Sequence, residues 1–161
     1  MAIADTTTHD DADQRTRPWQ STRLRLAALA VGLTLVLTGC FLTPPQQRAY
    51  DIANWSRTDH GRHGLAVDWD ARNKAQAWAE HLAAQGVLSH SHLPDGMSGN
   101  WYALGENVGF ADAGGVDAVQ SAFWDSPGHR SNLLDSRWTG MGTGVAYAGE
   151  RTYVVQVFVQ R

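Results

Sequence analysis

Two histidines and one glutamate occupy positions in this chain where a folded core can fix them in space. His90 comes soon after the apolar dipeptide Val87-Leu88, Glu106 interrupts an apolar stretch, and His129 follows a Pro-Gly pair. Two imidazoles and one carboxylate are the usual ligand types of an open metal site, with water in the remaining positions. The same three groups can also form an acid/base site. Their long spacing permits convergence but does not by itself establish it.

Each of these residues also has a plainer structural interpretation. His129 can be a core histidine whose two ring nitrogens satisfy neighbouring groups. Glu106 can cap a nearby turn or pair with an arginine, because a buried carboxylate needs partners or takes up a proton. For His90 we expect a defined position, because Val87-Leu88 can dock on the core.

The other histidines and the nearest hydroxyl are weaker candidates. His60 and His63 lie among glycines and are expected to be solvated loop residues. His81 lies one residue off the apolar stripe of a helix, and His92 is next to a Pro-Asp-Gly turn. Ser126 is close to His129 in sequence, but it precedes a proline and fits a hydroxyl that ends a helix better than a nucleophile.

Helical patterns dominate the middle of the chain. A partial apolar stripe predicts a helix from Gln46 to about Thr58. The clearest helix begins with Asp68 or Asp70 as its cap, buries an alanine-rich face, and ends near Gln85 before Gly86. A third helix is predicted over residues 116–124.

A corner follows that third helix. Pro127 biases Ser126 away from helical geometry, and Gly128 permits a backbone shape that other residues adopt at a cost. We therefore expect His129 to be held on a sharp turn, with a short helical turn from Arg130 to Leu134.

The C-terminal segment predicts a β-hairpin. One strand covers Met141–Tyr147, a turn covers residues 148–150, and the second strand runs from Arg151 to Gln160. The alternating apolar residues of the second strand predict one face that packs on the helices. Helices followed by an antiparallel hairpin indicate an α+β fold with helices layered on the sheet.

The N-terminal part has the features of an export signal. A polar leader is followed by Arg23 and Arg25 and then by an apolar run, Leu26–Leu37, which is short for a membrane-spanning helix. The run ends in Leu-Thr-Gly-Cys40, which resembles the lipobox of bacterial lipoproteins. Cleavage before Cys40 followed by its lipidation would explain the only cysteine of the chain; the alternative is a plain signal anchor with an incidental cysteine.

These features divide the chain into three parts. Residues 1–39 form the leader and lipoprotein signal peptide, residues 40–45 a lipidated tether, and residues 46–161 one folded domain. A single cysteine excludes an internal disulfide. The net charge of -3 gives no electrostatic reason to expect nucleic acid as a partner.

Several motifs together resemble the CAP superfamily of cysteine-rich secretory proteins, antigen-five allergens, plant pathogenesis-related proteins and bacterial secreted proteins. The resemblance covers nearly all of the mature chain in the family's order, and it is specific because the motifs occur together. The matching segments are Leu65, Trp69-Asp70, Ala75–Ala79, Leu88-Ser89-His90-Ser91, Gly105-Glu106-Asn107-Val108, Trp124, Ser126–Leu134 and Tyr153–Phe158.

The resemblance implies a three-layer α-β-α sandwich with an antiparallel sheet and a cleft. In the family, two histidines and two acidic residues line that cleft and can bind a divalent metal. By motif, His90, Glu106 and His129 occupy three of those places. The fourth is normally a glutamate shortly after the tryptophan of the third helix, where this chain has Trp124-Asp125 and Asp125 is the candidate substitute.

Two functions follow from these expectations. The first, which we favour, is a binding module anchored through Cys40 to the outer face of the bacterial cell membrane. Its ligand would be a lipid, glycan or peptide of the envelope, and its cleft would hold zinc or another divalent metal weakly. The alternative is an envelope hydrolase that uses His90, Glu106 and His129, with a metal-activated water replacing a nucleophile.

Overall fold

The computed structural model describes residues 41–161, so the leader, the apolar run and Cys40 lie outside the described residues. Residues Leu42–Arg161 form one compact unit. Its elements are α1 (Pro44–Asp59), β1 (Ala66–Val67), α2 (Trp69–Gln85), β2 (Ala103–Ala111), α3 (Gly115–Asp125), α4 (Pro127–Leu134), β3 (Gly140–Ala148) and β4 (Arg151–Gln160).

The four strands form one sheet in the order β1-β3-β4-β2. The hairpin β3–β4 is antiparallel, as expected. Strands β2 and β4 are also antiparallel, but β1 pairs with β3 in parallel. The sheet is therefore mixed, because the short β1 segment runs along the free edge of β3 directly before the chain enters α2. Strand β2 forms the opposite edge of the sheet.

Helices cover both faces of the sheet, which gives the α-β-α sandwich and confirms the α+β prediction. Helix α2 packs on one face through its alanine-rich stripe, against Tyr153, Val155 and Val157 of β4. Helices α1 and α3 pack on the other face, where Val154 is buried. Both faces of β4 are buried, because each face packs against a layer of helices.

Two glycines of β3 allow α2 to approach the sheet closely. A Cβ atom on Gly144 would lie 2.1 Å from the backbone oxygen of Ala75, and one on Gly142 would lie 2.0 Å from the Arg72 nitrogen. No side chain fits at these distances. The glycines of this strand therefore allow the short distance between the helix and the sheet.

Local signals fix the ends of the first two helices. Helix α1 begins at Pro44, two residues before the predicted start, and the Thr43 N–H donates to Gln46 Oε1 at 2.9 Å. Asp68 caps α2 by accepting the Ala71 N–H at 2.9 Å, and Gly86 ends the helix with φ of 69°. The predicted cap and the predicted stop of α2 are both confirmed.

The corner before His129 differs from the sequence-based prediction. Ser126 ends α3 and precedes α4 in an extended conformation, and Pro127 is the first residue of α4. Gly128 lies inside α4 without a positive φ, so the expectation that it supplies a special backbone shape was wrong. The extended residue before the proline is sufficient to make the corner.

Within residues 41–161, no helix has both the length and the apolarity needed to cross a bilayer.

Candidate functional site

The structure brings His90 and Glu106 into direct contact. Nδ1 of His90 lies 2.8 Å from Oε1 of Glu106. A carboxylate can only accept, so Nδ1 carries the proton and donates it to this hydrogen bond, and Nε2 has a lone pair that can bind a metal or accept a hydrogen bond. The Glu106 side chain is 1% exposed, whereas the His90 side chain is 63% exposed. A buried carboxylate thus orients a histidine at the surface.

Glu106 also fixes the backbone beside this histidine. Its Oε1 atom accepts the Ser91 N–H at 2.9 Å, in the segment that precedes the turn at residues 93–96. Its second oxygen, Oε2, and the Ser91 hydroxyl are buried without a hydrogen-bond partner among the described residues. Buried polar atoms usually have partners, so these two atoms mark a place suited to a polar group from outside the chain.

The segment that carries His90 is held to α2 by two side chains. Trp78 Nε1 donates to the Ser89 carbonyl at 2.9 Å, and Lys74 Nζ donates to the carbonyls of His92 at 2.8 Å and Asp95 at 2.9 Å. Lys74 is buried, which lowers its pKa; the nearby carboxylates of Glu106 and Asp95 oppose that shift. Lys74 therefore anchors the segment and places a cation near the buried glutamate.

The expected docking of Val87-Leu88 on the core was wrong. Val87 is 65% exposed and Leu88 is 42% exposed, so neither side chain fixes the position of His90. The hydrogen bonds from Trp78 and Lys74 do so instead. Lys74 is the only lysine of the chain, and its place on an otherwise alanine-rich helical face was the available signal for this role.

His129 lies on the first turn of α4, on the opposite face of β2 from the His90 segment. Neighbouring residues of a strand point to opposite faces, so Glu106 meets the His90 segment while Asn107 meets α4. Asn107 Nδ2 donates to the His129 carbonyl at 3.1 Å, and Asn132 Nδ2 donates to the Glu106 carbonyl at 3.2 Å. This buried amide network, which sequence reasoning missed, ties α4 to the strand that carries the glutamate.

The His129 ring lies in an environment that disfavours its charged form. The ring is half-buried and contacts Phe123, with 5.0 Å between the ring centroids. Burial lowers the pKa of His129, and the positive charge of a protonated His90 lowers that pKa further. His129 therefore favours the neutral form of its ring.

The three predicted site residues do not form one compact cluster. Among residues 41–161, no three His, Cys, Asp or Glu side chains are grouped in a way that can hold a metal ion. His90 and Glu106 form a hydrogen-bonded pair, and His129 lies on the opposite face of β2. Asp125 lines a groove between α1 and α3, together with residues that include Trp55 and Trp124 but none of these three.

The remaining candidates have local roles. His60 and His63 are exposed loop residues, as expected, although each ring bonds to a backbone carbonyl, those of Ser56 and Trp138 respectively. His81 stacks on Trp78 with 4.5 Å between the centroids.

His92 and Ser126 complete the set of weaker candidates. His92 Nδ1 lies 2.8 Å from Asp95 Oδ1, so this ring is paired rather than free. Ser126 occupies the junction between α3 and α4, as its interpretation as a helix-ending residue predicts.

This chain belongs to the CAP family. Residues 50–160 match the family described as the Cysteine-rich secretory protein family. The match covers both histidines, the buried glutamate and the whole sheet.

Individual relatives agree with this assignment. An uncharacterized membrane protein, YlbC, of Bacillus subtilis (strain 168) is 28% identical over an alignment of 128 residues, and the match covers 74% of this chain and 35% of that protein. An extracellular protein containing an SCP domain from Bacillus anthracis str. Ames is 27% identical, with a TM-score of 0.62 over 75% of this chain and 45% of that chain. This chain therefore spans less than half the length of these two relatives.

A third relative shares the fold at lower identity. The structure of NaASP2 with Zn2+ is 16% identical, with a TM-score of 0.55 over 73% of this chain and 80% of that chain. At this identity the likeness concerns the fold alone.

Proposed function

We propose that this protein is an exported, lipid-anchored CAP-domain binding module in which His90 and His129 together take up a divalent metal ion weakly. The observation that carries the proposal is the buried Glu106 carboxylate, which holds Nδ1 of His90 at 2.8 Å. A histidine that binds a metal commonly donates its other ring N–H to a carboxylate, which fixes the tautomer and raises the basicity of the ligating nitrogen. Glu106 is thus an orienting group behind His90.

The donor set fits a weak site better than a structural one. His90 offers Nε2, and His129 offers an imidazole whose pKa is lowered by burial and by His90. Structural zinc sites have four protein ligands, whereas two imidazoles leave positions for water or for an external ligand. A bound metal would act as a Lewis acid toward that ligand.

Export and anchoring rest on the N-terminal motif and on the relatives. The B. anthracis relative is an extracellular protein and the B. subtilis relative a membrane protein, which supports an extracytoplasmic location. Lipidation of Cys40 would hold the domain at the outer face of the membrane. Its ligand would then be a lipid, glycan or peptide of the envelope.

The contacts of the two histidines within residues 41–161 do not support a catalytic nucleophile. Among the described residues, no serine, threonine or cysteine side chain hydrogen-bonds to His90 or His129, so an activated nucleophile of the triad type lacks support.

Zinc titration calorimetry on the full chain tests the proposal. We expect one exchangeable site in the wild-type protein and at least tenfold weaker binding in His90→Ala and in His129→Ala. His63→Ala, which removes an exposed histidine that bonds to the Trp138 carbonyl, is the matched control and should bind as the wild type does. Equal affinity in all four proteins would refute the cleft.

A further inference from the structure

The turn between β3 and β4 marks one end of the sandwich, which we call the turn end. Strand β2 finishes at this end, because its last residue, Ala111, pairs with Thr152 beside the turn. Helix α3 begins there too, four residues after β2. Arg48, near the start of α1, forms an ion pair with Asp117 in the first turn of α3 at 2.9 Å. The start of α1 therefore also lies at the turn end.

The packing of α1 on the sheet gives the same direction. Ala49 packs in the apolar cluster that contains Val145, close to the turn, whereas Ala53 packs in the cluster that contains Met141, further from it. The chain thus enters the domain at the turn end and runs away from it along α1.

The covalent chain limits how far Cys40 can be from this end. Cys40 lies four residues before Pro44, the first residue of α1. Four residues span at most about 14 Å when fully extended. A bilayer that holds a lipid on Cys40 therefore has its surface within that distance of the start of α1. Of the two ends of the sandwich, the turn end is then the one nearer the bilayer.

Aromatic side chains are exposed at the turn end. Tyr147 lies at the end of β3 and is 58% exposed, and Phe110 lies at the end of β2 and is 38% exposed. The guanidinium carbon of Arg151 lies 4.2 Å from the centroid of the Phe110 ring, which fixes that ring at the rim of the sheet. Exposed apolar groups that cluster on one surface indicate an interaction site.

The exposed Val87-Leu88 pair adds aliphatic surface on the same side. Helix α2 passes β3 with Arg72 beside Gly142 and Ala75 beside Gly144, so its C-terminal end points toward the turn end. Val87-Leu88 directly follows that end, and both side chains are exposed. Packing on the core does not explain these two residues, and contact with an apolar phase does.

The charges at the turn end do not select an anionic surface. Its two arginines are already paired, Arg48 with Asp117 and Arg151 with Asp112 at 2.6 Å. Glu150, in the turn itself, is exposed and has no ion-pair partner among the described residues. Attraction to anionic lipid head groups needs unpaired lysine or arginine. Contact with a bilayer at this end therefore depends on apolar and aromatic side chains.

We propose that the turn end rests on the lipid bilayer, with Tyr147, Phe110 and Val87-Leu88 at the level of the lipid head groups. The proposal rests on the lipidation of Cys40 proposed above, and goes beyond it by assigning the surface of the domain that meets the membrane. Tyrosine favours the membrane–water interface, because its ring is apolar and its hydroxyl is polar.

This orientation sets the height of the candidate site above the membrane. Glu106 precedes Phe110 by four residues of β2, which is about 13 Å along a strand. The His90–Glu106 pair is therefore held close above the head groups, where a ligand carried by the envelope can reach it.

The test uses the full chain, purified from its bacterial host with Cys40 modified and reconstituted into phosphatidylcholine vesicles. Lipidation consumes the thiol of the only native cysteine, so one introduced cysteine can carry a fluorophore. Glu150→Cys places the label in the turn, and Asn100→Cys places it at the opposite end, where the Asn100 carbonyl accepts from Arg161 at 3.3 Å. With lipids brominated in their acyl chains, we expect at least threefold stronger quenching in Glu150→Cys. The same contrast should persist in vesicles that contain phosphatidylglycerol.

Matched changes identify the contact. In the labelled Glu150→Cys protein, Tyr147→Ser should reduce quenching at least twofold, whereas Tyr102→Ser, at an exposed tyrosine near the opposite end, should leave it unchanged. Both side chains are exposed, so we expect both variants to fold.

Mass spectrometry of the same preparations reports the state of Cys40 separately. With a lipidated Cys40, equal quenching of the two labels, or no effect of Tyr147→Ser, would overturn the orientation and leave the anchoring intact. An unmodified Cys40 would refute the anchoring, and the orientation with it.

Discussion

Glu106 and His90 are joined across two separate segments of the chain, with Oε1 of the buried carboxylate 2.8 Å from Nδ1 of the exposed imidazole. The edge strand β2 fixes the position of the Glu106 carboxylate, and the hydrogen bond fixes the orientation of the His90 ring at the surface. This arrangement orients Nε2 of His90 for the ligand role that we propose for it.

Glu106→Gln tests this arrangement. We expect the free energy of unfolding to fall by about 1–2 kcal/mol, because one charge-assisted hydrogen bond is lost and its partner is mostly exposed. Zinc affinity should fall about 10- to 100-fold, the usual effect of losing an orienting carboxylate. Urea unfolding and calorimetry measure the two effects. Glu80→Gln, at an exposed glutamate of α2, is the control, and an equal effect on zinc binding there would contradict the role of Glu106.

Lys74→Met tests how the His90 segment is held. The change keeps most of the aliphatic stem but removes both hydrogen bonds to the His92 and Asp95 carbonyls, and we expect a loss of about 1–3 kcal/mol of stability. Hydrogen exchange should accelerate in residues 90–96 more than in β4. Arg137→Met, at an exposed cation, should leave that exchange unchanged. Unaltered protection in Lys74→Met would show that something else anchors the segment.

The caps and the hairpin could be predicted from the sequence because their signals are local. Asp68 precedes its own helix, Gly86 follows it, and the alternation of β4 lies within ten residues. Strand β2 was not predicted as a strand, because its segment contains two glycines, a glutamate and an asparagine, and its pairing partner β4 lies far along the chain.

The sequence predicted which residues are candidates for the site but not how they are arranged. The motifs identified His90, Glu106 and His129, but only the alternation along β2 explains why Glu106 and His129 lie on opposite sides of one strand. The anchoring by Lys74 and the amides of Asn107 and Asn132 depends on contacts between distant segments. Sequence spacing does not report such contacts.

A pair of glycine substitutions tests the packing of α2 and the α3–α4 corner. Gly144→Ala should cost at least about 3 kcal/mol, the upper end of overpacking penalties, because its Cβ would meet the Ala75 backbone. Gly128→Ala should be neutral or stabilising by up to about 1 kcal/mol, because that residue is helical and has open space around it. Denaturant unfolding of both variants measures the difference. A costly Gly128→Ala would restore the view that the corner needs a glycine.

The titration of His129 should be displaced to low pH. Burial and the nearby His90 lower its pKa, so we expect an NMR midpoint below the ordinary histidine value of about 6.5. The folded state then binds this proton less tightly than the unfolded state. The contribution of the neutral His129 ring to the free energy of unfolding is therefore present above about pH 6.5. It is lost as the pH falls through the folded-state pKa of His129. In His90→Asn the midpoint should rise but stay below 6.5, since burial remains, and a midpoint at or above 6.5 in the wild type would contradict this account.

Anchoring is tested at Cys40. In the native bacterial host, Cys40→Ser should move the protein from the membrane fraction to the soluble fraction, because two or more acyl chains hold a protein on a bilayer and none remains. Mass spectrometry of the wild-type protein should find a lipidated Cys40 at the N-terminus. Thr43→Ser, three residues further on, should leave the location unchanged. An uncut, unmodified Cys40 would refute lipidation.

The most direct test of the central claim is a crystal structure of the protein soaked in zinc, with anomalous diffraction recorded at the zinc edge. The account predicts one principal anomalous peak that lies about 2.0–2.1 Å from a ring nitrogen of both His90 and His129. Nδ1 of His90 should still be bonded to Glu106. A principal peak at His92 and Asp95, or at a single one of the two cleft histidines, would contradict it.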